Sequence, residues 1–278
     1  MKLKIYCMST IYRKILDNMP SYITPLGVGK NNFPGHWLNE NSGKNIVELN
    51  NYYGEHTGIY WVWKNCLDEF DDKDWIGFCH YRKFWLNDLF ETKQKNSKQS
   101  LFDNLLKLEN NIFNNSDVIL IQPIIYSNKN LFEDFYAVHR NKVLEHSMSF
   151  LDVNIKENFI NHCNSNILYP LNMFITKKNL FSEYCENVFP WLEKCTEYCK
   201  NENLLNDYNI RLPSFLSERF VSFWFSKYKE KKCLSYARLG SLFLSNYINH
   251  LFNPIKIPYS FRMYPTIHKY WSSSHLVA

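Results

Sequence analysis

Apolar positions in this chain cluster in short blocks separated by polar stretches. LKIYCM (Leu3 to Met8) is a fully apolar run except for Lys4, and it reads as a buried first strand. WIGFCH (Trp75 to His80), DVILIQP (Asp117 to Pro123) and LNMFIT (Leu171 to Thr176) are runs of similar length, and Pro123 stops the middle one. Between the runs the period changes. Ile59, Val62, Trp63 and Cys66 recur at three and four spacing, as the core-facing stripe of a helix over about 46–70. Further helices are predicted over 101–113, 130–144, 146–163, 178–199 and 213–228, with a polar loop at 87–100. Strands alternating with helices predict an α/β fold whose central sheet is mainly parallel and flanked by helices.

The stretch from Pro20 to Asn45 breaks this rhythm. Pro20, Pro25, Gly27, Gly29, Pro34, Gly35 and Gly43 fall within it, in a chain with only 8 glycines. It reads as a long irregular binding loop after the first strand. No apolar stretch approaches the roughly 18 residues of a membrane span.

Composition narrows the chemistry. With 278 residues and 45% hydrophobic content the chain can bury a sizeable core, so wholesale disorder is excluded. Aromatics reach 17%, and neither a GxGxxG nor a GxxxxGK[ST] fingerprint occurs, which argues against Gly-rich dinucleotide and P-loop chemistry. The net charge of +5 suits an anionic small molecule or membrane surface, and no basic run calls for nucleic acid. Eight cysteines lie mostly in apolar runs and no secretory signal opens the chain, so a reduced, cytoplasmic protein is expected. Cys195 and Cys199 share a helix face, but no second pair follows at ligand spacing, so core or surface thiols are favoured over a metal site.

Ligands of open α/β sheets gather beyond the carboxyl ends of the strands. The first strand ends in Ser9 and Thr10, the second in His80, Tyr81, Arg82 and Lys83, and the third in Gln122; the fourth itself carries Asn172. Cations directly after a buried strand suit an anion, a diphosphate above all. The alternative is a strand end that merely meets solvent. Asp72-Lys73-Asp74 spells an Asp-x-Asp pattern, but it precedes its strand, on the edge opposite the expected crevice. It reads as a solvated acidic turn. Glu55, in the aromatic-rich segment Tyr53 to Asn65, needs a partner if it is buried. Glu218 and Arg219 in FLSERF (Phe215 to Phe220) are either an internal ion pair or a carboxylate held at the site as a base. His139 follows a helix stripe and on spacing alone reads as structural.

Four ordered segments resemble a bacterial glycosyltransferase family of capsule, exopolysaccharide and O-antigen gene clusters, long catalogued as a domain of unknown function. They are NIVELNNYYGEHTGIYWVWKN, WIGFCHYRKFW, LNMFITKKNLFSEYC and FLSERF. The resemblance spans roughly residues 3 to 230. It implies a GT-A-like domain over 1–250, with an aromatic tail over 251–278 that packs on the domain or contacts acceptor or membrane. It places Glu55 and Thr57 on the family's Glu-x-Thr, Trp63, Lys64 and Asn65 on Trp-Lys-Asn, and His80, Tyr81 and Arg82 on His-Tyr-Arg. Asn172 and Met173 fall on Asn-Met-Phe, and Ser217, Glu218 and Arg219 on Ser-Glu-Arg. The chain departs from the family wording at Gly54, usually Cys, at His56, usually Leu, and at Lys83, usually Arg.

Together these readings predict a sugar transferase using a nucleotide-diphosphate donor, UDP-linked by preference, on a growing surface polysaccharide or its lipid-linked precursor. Glu218, then Glu55, are the candidate bases, in an inverting displacement. Donor contacts are assigned to Ser9, Thr10, Thr57, Lys64, Asn65, His80, Tyr81 and Arg82. Acceptor or sugar contacts are assigned to Asn172, Met173, Arg219 and His139. No cofactor and no metal ligand is predicted, with Mn or Mg left open. Peripheral contact with the inner face of the plasma membrane is a further expectation. A non-catalytic carbohydrate-binding protein is the alternative, and a phosphoryl or nucleotidyl transferase would need a carboxylate cluster that the strand ends lack.

Overall fold

The computed structural model describes residues 1–87, 105–206, 209–228, 230–234 and 236–238. The chain opens with β1 (Leu3–Ser9), β2 (Ile23–Gly27) and β3 (Leu38–Asn39), then helices α1 (Asn50–Tyr53) and α2 (His56–Asn65). Next come β4 (Trp75–His80), β5 (Lys83–Trp85), β6 (Val118–Ile121) and β7 (Ile124–Ile125). Helices α3 (Leu131–His139), α4 (Val143–Ser147) and α5 (Val153–Cys163) lead to β8 (Ile167–Leu168) and β9 (Phe174–Lys177). Two long helices, α6 (Lys178–Asn201) and α7 (Leu212–Ser226), precede β10 (Lys231–Leu234) and β11 (Tyr236–Arg238).

Nine strands form one sheet in the order β10-β6-β9-β4-β1-β2-β3, with β5 on β4 and β11 on β5. Seven of the nine run in one direction. The two that run against it are β9, antiparallel to both β4 and β6, and β5. The sheet is therefore mostly parallel, as the alternation of elements predicts, with one reversed strand at its centre.

The runs that read as buried strands are buried on both faces. In β4 every residue is buried, as expected where both sides of a sheet are covered. Alternate residues serve two cores. Tyr6, Met8, Ile76 and Phe78 point to the side packed by Phe181, Tyr184, Phe220 and Trp224 of the long helices. Ile5, Cys7, Trp75 and Cys79 point to the other side, against Phe84, Trp85, Leu105 and Phe113. All eight cysteines are free thiols; Cys195 and Cys199 are fully buried.

Several predicted elements need correction. The stretch 20–45 holds β2, paired parallel to β1, and β3, paired parallel to β2. Pro25 hid the strand, but β3 pairs only with Leu26 and Gly27, so Pro25 sits where the far edge of β2 is open. The helix expected over 46–70 is interrupted at Gly54, whose φ of +53° ends α1. In 105–113 no α-helix forms: Leu105 bridges to Leu86, and only Asn111–Phe113 makes a 3-10 turn. Burial of Leu105 and Leu106 against the sheet overrides their helical preference. The helix expected at 130–144 ends at Arg140, which is left-handed (φ +57°). Its start was legible, since Asn130 and Glu133 form a reciprocal capping box. The loop predicted at 87–100, apart from Asn87, and the tail 251–278 lie outside the described residues.

Candidate active site

The reversal of β9 decides where the site lies. Because β9 runs against β4, its amino end meets the carboxyl end of β4. The ladder pairs Gly77 with Ile175, and beyond it His80 reaches the turn that holds Leu171 and Asn172. Two motifs 92 residues apart thus meet at one sheet edge.

The turn before β9 is unusual. Leu171 and Asn172 both have positive φ, +83° and +49°, a conformation that side chains other than glycine adopt at a cost of about 1–3 kcal/mol. The turn is clamped from both sides. The Leu171 amide donates to Glu218 Oε1 at 2.7 Å. The Leu171 carbonyl accepts from His80 Nε2 at 2.7 Å, and since a carbonyl only accepts, that ring nitrogen carries a proton. Asn172 is 4% exposed, and its Oδ1 has no hydrogen-bond partner among the described residues. A buried amide oxygen left unpaired costs about 1–3 kcal/mol.

A chain of charged groups runs through this turn. Arg211 Nη2 lies 3.0 Å from Glu55 Oε2, and Glu55 Oε1 lies 3.3 Å from His80 Nδ1. Beyond Leu171, Glu218 Oε2 accepts from Arg219 Nη1 at 2.7 Å, and Arg219 Nη2 donates to Asp134 Oδ2 at 2.8 Å. Lys129 closes the series on Asp134 Oδ1 at 2.7 Å.

Electrostatics follow from this order. Burial opposes ionisation of Glu55, but His80, Arg211, a backbone amide and Lys83 outweigh it and hold the carboxyl down to about 2. Burial lowers the His80 pKa, against the pull of Glu55 and the Leu171 carbonyl. Arg219 loses by burial and gains more from Glu218 and Asp134, so it is held charged. The Glu55 and Glu218 side chains keep 25% and 19% of their surface exposed.

The other predicted residues are placed as follows. Ser9 is buried at the end of β1, and its hydroxyl is taken up by the Ile11 backbone. Thr10 is exposed beside it. Thr57 donates to the Gly54 carbonyl and accepts from Asn50, which fixes the start of α2 close to Glu55. Lys64 and Asn65 lie at the other end of that helix. Lys64 rests over the Trp63 ring at 3.2 Å, and Asn65 ties down both backbone groups of Lys44. Tyr81 and Arg82 form the turn between β4 and β5, with the guanidinium 4.9 Å from the Tyr81 ring. Met173 is buried in the core on the opposite face of the sheet from the long helices. His139 packs between Phe135 and Phe215 and bonds Asn209. Asp74 accepts from the Lys2 and Asp71 amides at the amino end of β4, so the Asp-x-Asp segment stands at the edge away from Glu55 and His80.

Arg211, Asp134, Lys129 and the Leu171 peptide were not anticipated. Asp134 had a signal: with Leu131 and Phe135 it lies on the buried face of α3, where a carboxylate requires a partner. Glu40 was also missed. It is fully buried near Thr57 and accepts from the Gly29 amide, and burial raises its pKa.

Residues 4–230 match the family model described as domain of unknown function DUF4422. The chain belongs to this family. The match agrees with the resemblance read from the four motifs. No curated protein matches the DUF4422 chain. Among solved structures, the apo structure of the bifunctional glycosyltransferase WbbM is similar in fold, with a TM-score of 0.67 over 85% of this chain and 21% identity. The match covers 45% of the WbbM chain, so this protein corresponds to less than half of that enzyme. Among the described residues, no helix is long and apolar enough to cross a membrane, and no three His, Cys, Asp or Glu side chains gather as metal ligands.

Proposed function

We propose that this DUF4422 protein is a glycosyltransferase with a GT-A-like domain. It moves a sugar from a nucleotide-diphosphate donor, UDP-linked by preference, to a hydroxyl of a growing bacterial surface polysaccharide or its lipid-linked precursor. The observation that carries this reading is the clamped turn at Leu171 and Asn172, held between His80 and Glu218 at the carboxyl edge of the sheet. The fold likeness to a glycosyltransferase supports it.

In the proposed step the acceptor oxygen attacks the anomeric carbon as the bond to the donor's phosphate oxygen breaks. The diphosphate leaves with the bonding electron pair, and the acceptor proton passes to a carboxylate. Glu218 is the proposed base. Its two bonded oxygens each keep a further lone pair, whereas Glu55, with a pKa of about 2, is a weak proton acceptor. Glu55 instead orients His80 and Arg211. Asn172 Oδ1 accepts from a sugar hydroxyl, so its burial cost is offset only when substrate is present. Cations at this edge, Arg82 among them, stabilise the departing diphosphate.

The test is product analysis with purified protein, a panel of nucleotide sugars with and without Mn²⁺, and oligosaccharide acceptors. Transfer of the sugar with release of nucleoside diphosphate supports the reading. Sugar binding without turnover across the panel would favour a carbohydrate-binding role.

A further inference from the structure

Gly54 and Arg211 are fitted to one another. Gly54 has φ +53°, and a Cβ built on it would overlap Arg211 Nη2 and lie 3.2 Å from Ser214 Oγ. The notch left by the missing side chain is where the guanidinium sits. Arg211 itself is the residue before α7, so its backbone is fixed by the start of a 15-residue helix. Among the described residues its guanidinium makes one side-chain hydrogen bond, to Glu55 Oε2. Five N–H donors are present in a planar fork, and the side chain is 49% exposed. Glu55 therefore aims the fork without saturating it. Glu55 is also shared with His80, and Lys83 stands near both.

We propose that Arg211, seated in the Gly54 notch and aimed by Glu55, is a binding residue for the phosphate oxygens of the nucleoside diphosphate. This inference rests on the transferase reading above and adds to it the group that grips the donor. A planar fork with paired donors matches two phosphate oxygens at once, which an ammonium does not.

Calorimetric titration of the full chain tests it. UDP, GDP, CDP and dTDP are tried on the wild type, and the one that binds is carried forward with its matching nucleoside. Arg211→Ala is expected to weaken the diphosphate by about 10- to 100-fold, the scale of hydrogen bonds to a charged group, and to leave the nucleoside unchanged. Arg211→Lys should fall between the two. Gly54→Ala should reproduce the loss by evicting the guanidinium, with retention of fold checked by circular dichroism. Equal weakening of nucleoside and diphosphate would make Arg211 a mere support and overturn the proposal, as would wild-type diphosphate affinity in folded Arg211→Ala. If the wild type binds none of the four diphosphates, the donor class proposed above fails and this inference fails with it.

Discussion

Glu218 Oε1 accepts the backbone amide of Leu171 at 2.7 Å, across 47 residues of sequence. That bond holds a left-handed turn in place and sets a helix carboxylate beside the reversed strand β9. A carboxylate on α7 and a buried amide oxygen on the turn are thereby positioned by the same contact.

Glu218→Gln tests the assignment of the base. The isosteric amide keeps its size but cannot take a proton, and turnover is expected to fall by about 10²- to 10⁴-fold. Glu55→Gln should lower turnover less and weaken diphosphate binding more, because it releases Arg211 and His80. If Glu55→Gln abolished turnover while Glu218→Gln left it intact, the order of the two carboxylates would be reversed. Initial rates with a fixed donor and acceptor decide it.

Asn172 carries two constraints that separate by mutation. Asn172→Gly keeps the left-handed backbone (φ +49°) and removes the unpaired Oδ1. It should raise KM by roughly tenfold, the loss of about one to two kcal/mol in a hydrogen bond, with little change in melting temperature. Asn172→Ala should add a stability loss of about 1 kcal/mol or more from the strained φ. Thermal melts beside steady-state kinetics distinguish the two effects.

Asp134 is 5% exposed and stands between Arg219 and Lys129. Asp134→Ala leaves Arg219 Nη2 buried without its partner, with Glu218 as the remaining carboxylate on the guanidinium, and is expected to cost about 1–3 kcal/mol of stability, read as a lower denaturation midpoint in urea. A loss near zero would mean that solvent reaches Arg219 and that the Glu218 environment is less fixed than its contacts imply.

Acid should destabilise the fold through histidines that are buried without charge. Burial lowers His56, His139 and His162 from 6.5 to about 4. His56 shows why: Ser217 Oγ donates to the Ser214 carbonyl and so accepts from His56 Nδ1, and Tyr184 faces Nε2. Between pH 6.5 and 4 the unfolded chain binds protons that the folded chain refuses. This loss is absent above 6.5, grows as pH falls towards 4 and levels off below. Melting temperature measured in steps across that window should fall, and His56→Gln should flatten part of the slope.

Much of the architecture was legible from local pattern. LKIYCM, WIGFCH and the VILI of DVILIQP are runs too apolar for any place but the inside of a sheet, and the stripes over 178–199 and 213–228 match α6 and α7 within a few residues. Local pattern failed where a neighbour decided. Pro25 and Gly27 look like breakers, yet β1 draws their segment into the sheet. Leu105 and Leu106 look helical, yet they cap the face carrying Trp85.

The candidate site divides in the same way. The sequence by itself determined that Glu55, His80, Asn172, Glu218 and Arg219 needed explaining, because each is a polar group in apolar company or at a strand end. It left Lys64, Asn65, Met173 and His139 on equal terms with them. Only the tertiary structure decided that the strand after Asn172 runs backwards, which brings that residue to His80, and that Arg211 reaches Glu55 from 156 residues away. Burial and period are local properties of the chain, so they can be read along it. Strand direction and the pairing of distant charges depend on which segments meet in the fold, and no local period records that.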